Sequence, residues 1–240
     1  MPPLSPMQVA RMIDHTILKA EATEADVRKI VAEAVEHRFA SVCVNPRWAN
    51  LVSDLLHAAK VDEAGTSDRP VKTCACVGFP LGANRSSTKG IEAASCVKDG
   101  ANEIDMVISL PALIAGDLAY ARNDVAEVVS AARAVWKGTI VKVILETAAL
   151  TEEQTKLGCQ ASKEGGADFV KTSTGFHPKG GATAITVGWL KKYSGGLKVK
   201  ASGGIRDYAG ALTMIEAGAD RLGCSSGVAI VTSQTSTSSY

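Results

Sequence analysis

Eight short runs rich in β-branched and apolar residues alternate with helical stretches, and that alternation is the strongest limit on what this 240-residue chain can fold into. The runs lie near 13–18 and at 41–45, 71–78, 103–109, 139–146, 169–174, 197–202 and 221–225. They are continuously hydrophobic, as in Ile140-Val141 and Val143-Ile144-Leu145, which is the pattern of a parallel sheet covered on both faces. Eight strands separated by helices predict an α/β chain with a single (β/α)8 TIM barrel. A doubly wound sheet shares the alternation, but no GxGxxG follows the first run. Ser5-Pro6 reads as the N-cap and first position of a short N-terminal capping helix ending near Asp14. Thr23-Glu24-Ala25-Asp26 opens a second helix with a capping-box pattern. The barrel is expected to span 1–231, leaving the Ser/Thr-rich residues 232–240 as a flexible C-terminal tail.

Within this pattern three segments align without gaps. They are Gly100-Ala101-Asn102-Glu103-Ile104-Asp105, Gly166-Ala167-Asp168-Phe169-Val170-Lys171 and Gly218-Ala219-Asp220-Arg221-Leu222-Gly223. Each opens with a glycine suited to end a helix and then enters a strand. By strand count these are strands 4, 6 and 8, and the even strands of a barrel share interior layers. Shared spacing then implies shared register, with Asp105, Lys171 and Gly223 at one height and facing one way. An acid, an amine and an open space would converge.

Charge narrows the function classes. With 26 Lys and Arg against 25 Asp and Glu, no broad attraction for nucleic acid or anionic membrane is expected. No apolar run approaches the roughly 20 residues of a membrane span, and the first ten residues lack signal-peptide character, so a cytoplasmic enzyme is expected. The six cysteines form no CxxC pair and read as reduced, buried thiols. The four histidines show no ligand spacing, so no metal site is expected.

Lysines are the anomaly of the strands. Lys72, Lys142, Lys171, Lys198 and Lys200 sit in apolar runs, where a lysine is rarely buried unless paired or functional. Lys72 and Lys198 are expected to snorkel outward. Lys142 has two readings, one of them an interior pairing with Glu103 or Asp105. Lys171 and Lys200 fall toward the C-terminal halves of adjacent strands, where barrels place their chemistry. A free lysine near pKa 10.4 is neutral roughly once in 2,500 molecules at pH 7. A neighbouring ammonium and burial both raise that fraction, so two close lysines make an imine-forming amine. Asp105 suits proton transfer, or a buried ion pair, or both. Lys200-Ala201-Ser202-Gly203-Gly204 and Gly223-Cys224-Ser225-Ser226-Gly227 end strands 7 and 8 with backbone that can approach a phosphate, and Thr174-Gly175 can add a third wall.

Seven stretches, in order, resemble the deoxyribose-phosphate aldolase family of class I, Schiff-base aldolases. They begin at Asp14-His15-Thr16-Ile17-Leu18-Lys19, Val42-Cys43-Val44-Asn45-Pro46 and Val77-Gly78-Phe79-Pro80-Leu81-Gly82. They continue through Glu103-Ile104-Asp105-Met106-Val107-Ile108 and Lys142-Val143-Ile144-Leu145-Glu146-Thr147. The last two are Val170-Lys171-Thr172-Ser173-Thr174-Gly175-Phe176 and Lys198 to Arg206. The resemblance implies reversible cleavage of 2-deoxy-D-ribose 5-phosphate to acetaldehyde and D-glyceraldehyde 3-phosphate without metal or organic cofactor. It implies Lys171 as the Schiff-base lysine, Lys200 as the neighbour lowering its pKa, Asp105 as proton shuttle and Asp14 as a supporting polar group. Tyr240 matches a proton-transferring C-terminal tyrosine by being last. Thr174, Gly175, Gly203, Gly204, Gly223, Ser225 and Ser226 are the candidate phosphate-binding residues. Cys43, Leu18 and Phe79 are expected to edge a tight pocket for the two-carbon aldehyde. Ser109 and Cys224 depart from the family's usual asparagine and threonine. The resemblance further implies a homodimer or homotetramer. Two other functions fit the same residues: a Schiff-base aldolase for a different aldehyde pair, and a sugar-phosphate-binding barrel whose lysines only neutralise phosphate.

Overall fold

A computed structural model describes residues 4–59 and 70–232. Eight parallel strands close into a barrel in sequence order, β1 (Ile13–Ile17), β2 (Ser41–Val44), β3 (Lys72–Val77), β4 (Glu103–Val107), β5 (Ile140–Ile144), β6 (Phe169–Lys171), β7 (Lys198–Ser202) and β8 (Arg221–Cys224). Each overlaps a run expected from the sequence. The helices around it are α1 (Pro6–Ala10), α2 (Glu24–His37), α3 (Ala49–Ala58), α4 (Ser86–Lys98), α5 (Leu110–Ala115), α6 (Leu118–Val135), α7 (Glu152–Glu164), α8 (Ala184–Tyr193), α9 (Tyr208–Glu216) and α10 (Gly227–Thr232). The opening helix stops at Ala10, short of the expected Asp14, because Ile13 and Asp14 are drawn into β1 beside Leu222 and Gly223. Thr23 caps α2 through a reciprocal box with Asp26. No helix among the described residues is long and apolar enough to cross a membrane.

Alternation along each strand separates two environments. Ile104, Met106, Val141, Val143, Val170 and Val199 point outward into one apolar core shared with the helices. The inward side chains are a different population, and the register assigns them to layers. Asp105 pairs across Lys142 to Phe169, so Lys171 lies two residues further along β6. The same step of two residues over two strands leads from Lys171 to Gly223, from Gly223 to Cys43, and from Cys43 back to Asp105. Four such steps make a stagger of eight residues, the shear of a TIM barrel, in which strand tilt requires that advance at constant height. Cys43, Asp105, Lys171 and Gly223 therefore form one layer. The repeat read from the sequence marks the three even strands of that layer beyond β2.

The rule also gives a layer of Asp14, Cys74, Lys142 and Lys200 below it. Lower still are Ser41, Glu103, Phe169 and Arg221, and above lie Thr16, Cys76, Ile144 and Ser202. Barrel interiors are usually filled with branched apolar side chains. Here the lower three layers hold four cations, Lys142, Lys171, Lys200 and Arg221, against three carboxylates, Asp14, Glu103 and Asp105. Lys142 lies 2.6 Å from Glu103 and 2.8 Å from Asp105, so both partners anticipated for it are present. Arg221 joins Asp14 at 2.6 Å to Glu103 at 2.8 Å. Lys198 is exposed and lies over the Phe169 ring, and Lys72 is half-buried.

A second buried pair fixes the helices to the C-terminal end of the barrel. Lys89 of α4 and Asp124 of α6 are wholly buried, 2.7 Å apart. Lys89 Nζ also donates to the Val107 carbonyl at the end of β4, and the Ser109 amide donates to Asp124. Ser86 Oγ donates to the other Asp124 oxygen. Ser109 thus serves through its backbone, at the N-cap of α5.

Lys89→Met leaves Asp124 buried without its cation. It is expected to cost about 3–5 kcal/mol of stability, a fall in Tm on the order of 10 °C, read by calorimetry; an unchanged Tm would exclude this pair as a tie. Acid tests the interior. Despite burial, Arg221, Lys200 and Lys142 around Asp14, and Lys142, Lys171 and Lys200 around Asp105, hold both carboxyls well below the usual range. Carboxyls depressed in the folded state stabilise it fully above their unfolded pKa, near 3.9, and that stability is lost as pH falls further. Denaturant titrations from pH 7 to 2.5 are expected to show a decline beginning near pH 4. Asp14→Asn should be less stable at pH 7 and flatter below pH 4.

Candidate active site

Lys171 is the last residue of β6, in the highest of the charged layers. Its ammonium contacts one carboxylate, Asp105 Oδ2, at 2.8 Å. Lys200, its register partner on β7, reaches the same oxygen at 2.7 Å and Asp14 at 2.5 Å. Lys142 holds the other Asp105 oxygen. Asp105 therefore joins all three lysines. The side chains of Lys142 and Lys200 are wholly buried, whereas that of Lys171 keeps 3% exposure. Lys171 is thus both the least tethered lysine and the one open toward the C-terminal mouth.

Burial is the largest single influence on the pKa of Lys171 and pushes it down, and Lys200 adds to that; Asp105, joined by Cys76 and Cys43, pulls it up, and the net direction is up. Lys200 lies well above the ordinary lysine value because Asp105 and Asp14 outweigh its burial. Lys200 does lower Lys171, as expected, but the net shift in this state is upward. The repulsion is present, but a shared carboxylate lies between the two ammonium groups and dominates.

Gly223 belongs to the barrel wall and not to the loop that follows it. A Cβ there would stand 2.9 Å from Ser202 Cβ and 3.0 Å from Lys200 Cε, so the missing side chain is the space through which Lys200 crosses the barrel. Ser225 and Ser226 lie in the loop between β8 and α10. Gly203 and Gly204 follow β7. Gly203 has φ +87°, and a Cβ would meet the Gly181 Cα at 2.9 Å and the Gly175 Cα at 3.5 Å, so two loops pack backbone to backbone there. A Cβ on Gly204 would meet nothing within 4 Å. Thr174 is held from below by Glu146, which accepts from its hydroxyl and, at 3.2 Å, from its amide. The loops after β6 and β7 are thereby brought together, with the β8 loop beginning next to them. Tyr240 lies outside the described residues.

Beside Lys171 is a small apolar group separate from the main core, Leu18, Cys43, Cys74 and Cys76 with Phe79 packed against it. Phe79 meets Phe176 of the β6 loop edge to face, with ring centres 5.2 Å apart. The three residues expected to edge a pocket are thus neighbours. Donor atoms of Cys43, Cys76 and Asp105 lie within 4.8 Å of one another. Three ammonium groups on Asp105 oppose a cation there. The Cys43 and Cys74 thiols are held well above their usual pKa, Cys43 mainly through its thiol neighbours and burial and Cys74 chiefly by burial, which suits them to an apolar wall. Burial pushes the Cys224 thiol up to about 12.

Sequence reasoning raised Glu103 only as a candidate partner of Lys142 and did not single out Arg221, although the two occupy the same place in the repeat, two residues before Asp105 and Gly223. Reading the repeat two residues back would have added Arg221 beside Glu103. Glu146 gave no such signal. Its φ of +57° and its grip on Thr174 arise from the turn after β5. Ser173 Oγ is buried with no hydrogen-bond partner among the described residues.

This geometry can be set beside known proteins. The model of the DeoC/LacD family aldolases matches residues 8–233. A deoxyribose-phosphate aldolase of Caldanaerobacter subterraneus is 49% identical over 94% of this chain and 93% of its own. One of Enterococcus faecalis is 49% identical over 95% and 98%. Among solved structures, the tetrameric deoxyribose phosphate aldolase of Aeropyrum pernix superposes with a TM-score of 0.84 at 36% identity, covering 95% of this chain and 92% of that one. With a closed barrel, a lysine at its C-terminal mouth and similarity along nearly its whole length, the chain belongs to the DeoC/LacD family of aldolases.

Proposed function

We propose that the chain is a class I aldolase, a carbon–carbon lyase that reversibly cleaves 2-deoxy-D-ribose 5-phosphate to acetaldehyde and D-glyceraldehyde 3-phosphate through an imine on Lys171. The observation that carries the residue assignment is the interior charge balance. Four cations face three carboxylates, and the cation with one carboxylate contact and residual exposure is Lys171. A proton passed from it to a carboxylate of the set leaves the net charge of the set unchanged.

Asp105, 2.8 Å from Lys171, accepts that proton. The free amine adds to the C1 aldehyde, and the carbinolamine loses water, taking its proton from the Asp105 carboxyl. The resulting iminium carries the same charge as the ammonium it replaces, so Asp105 and the lysines below keep their balance. The C3 hydroxyl then gives up its proton to the Asp105 carboxylate, the C2–C3 bond breaks, and its electron pair passes into the iminium to form an enamine. Glyceraldehyde 3-phosphate leaves. The Asp105 carboxyl returns that proton to C2 of the enamine, and water added to the iminium releases acetaldehyde and restores the Lys171 ammonium. The iminium is the electron sink, so this route calls for no metal or organic cofactor.

Lys200 and Asp14 are read as the support that holds Asp105 from below, with Gly223 giving Lys200 its room. The phosphate is assigned to Thr174, Gly175, Gly203, Gly204, Ser225 and Ser226, in loops that share the C-terminal mouth with Lys171. Leu18, Cys43 and Phe79 would limit the donor to two carbons. Tyr240 retains its reading as a proton carrier on sequence grounds, in a tail following a catalytic domain of residues 1–231. A homodimer or homotetramer is the assembly we infer, in line with the tetramer named for the Aeropyrum pernix relative. Small aldehydes and a sugar phosphate are its only expected partners, in the cytoplasm.

Borohydride reduction with acetaldehyde should leave a two-carbon adduct on the Lys171 peptide, seen by mass spectrometry and absent in Lys171→Met. An adduct on Lys200 or Lys142 would overturn the assignment. Removing the carboxylate from Lys171 while Lys200 remains lowers the lysine pKa. Asp105→Asn should therefore form the trapped adduct at lower pH than wild type, yet lose about 10²–10⁴-fold in kcat through the missing proton relay. A trapping midpoint that moves up instead rules out Asp105 as the group holding Lys171 charged.

A further inference from the structure

The barrel has a second mouth, at the end away from the proposed chemistry. Arg221, Glu103 and Lys72 are the first residues of β8, β4 and β3, Ala40 immediately precedes β2, and Arg11 precedes β1. With Phe39 and Pro70 they line a cavity of about 280 Å³. That is near the lower bound of small-molecule pockets, roughly 300 Å³.

Among the described residues that line it, cations predominate. Arg11, Lys72 and Arg221 face one carboxylate, Glu103, which is already bonded to Lys142 and Arg221. Lys72 makes no ion pair among the described residues. Arg221 reaches Asp14 and Glu103 through Nε and Nη2, leaving Nη1 outside those bonds. Two guanidinium groups and an ammonium around a small hollow, with the Phe39 ring and Pro70 as apolar wall, match a compact ligand bearing two or more negative oxygens. We propose that this N-terminal cavity binds a small polyanion, at a site separate from the substrate phosphate, which belongs to the opposite ends of the strands.

The cavity is also connected to the chemistry. Arg221 holds Asp14 and Glu103, and these hold Lys200 and Lys142. An anion on Arg221 adds negative charge beneath the lysine cluster, favours the ammonium forms and lowers the supply of free amine. This consequence rests on the reading of Lys171 as nucleophile; the binding site does not.

Inorganic pyrophosphate is the probe. Calorimetric titration of the whole chain should show two sites, one displaced by glyceraldehyde 3-phosphate and one not. Arg11→Gln with Lys72→Gln, both outside the proposed catalytic set, should weaken the second site by about 10-fold or more and leave the first. At saturating substrate, where competition for the phosphate cradle is absent, pyrophosphate should lower kcat in wild type and not in the double variant. A single site, or a second site indifferent to the two substitutions, overturns the proposal. Two sites with an unaltered kcat overturn the link to the lysines. Failure of Lys171 trapping with the second site intact would refute the nucleophile and leave the cavity standing.

Discussion

Asp105 is the fixed point of the molecule. One carboxylate, wholly buried, bonds three lysines that arrive from β5, β6 and β7. Each ammonium alone would be costly in a barrel interior, and so would the carboxylate. Together they are tolerable because Asp14, Glu103 and Arg221 complete the set from below. Removing a carboxylate widens the excess of positive charge, and removing a cation strips a buried carboxylate of a partner. The interior therefore has little freedom to vary. Its stability is concentrated in the outer apolar core between strands and helices, which carries none of the chemistry.

The chemical bias of the interior follows from an imbalance of one. Three carboxylates cannot neutralise four cations, and the surplus falls on the lysine with the fewest partners. Lys171 is that lysine because β6 ends with it, one layer above Lys142 and Lys200. In the resting protein Asp105 keeps it charged despite burial and despite Lys200. A strong ion pair and a reactive amine are compatible when the partner that holds the proton is also the group placed to accept it. An iminium then replaces an ammonium without changing the charge that the buried set must support.

The supporting frame is arranged to keep the mouth in place. Lys89 and Asp124 tie α4 and α6 to the end of β4 and the start of α5, near Phe79 and Asp105. Glu146 holds Thr174, and the glycines after β6 and β7 let two loops meet through their backbones. These contacts touch no proposed reacting atom. They set where the loops stand, and so the distance between an imine at Lys171 and a phosphate in the loops.

The chain's own pattern determined the barrel, because eight apolar runs with intervening helices have few ways to bury both faces of a sheet. It determined one layer of the interior as well. Glycine, small residue and strand recur with the same spacing before Asp105, Lys171 and Gly223, and a constant spacing on alternate strands is what a stagger of eight residues converts into constant height. Layers built from odd strands carry no such repeat, so the convergence of Asp14, Lys142 and Lys200 was legible only in part. Apart from those of Lys142, the partners of each charge came from the tertiary structure alone, as did the upward shift of Lys171 and the hold of Glu146 on Thr174. They depend on which side chains cross the barrel axis and meet, and a distance of 2.8 Å between residues 66 apart in the chain has no local signature.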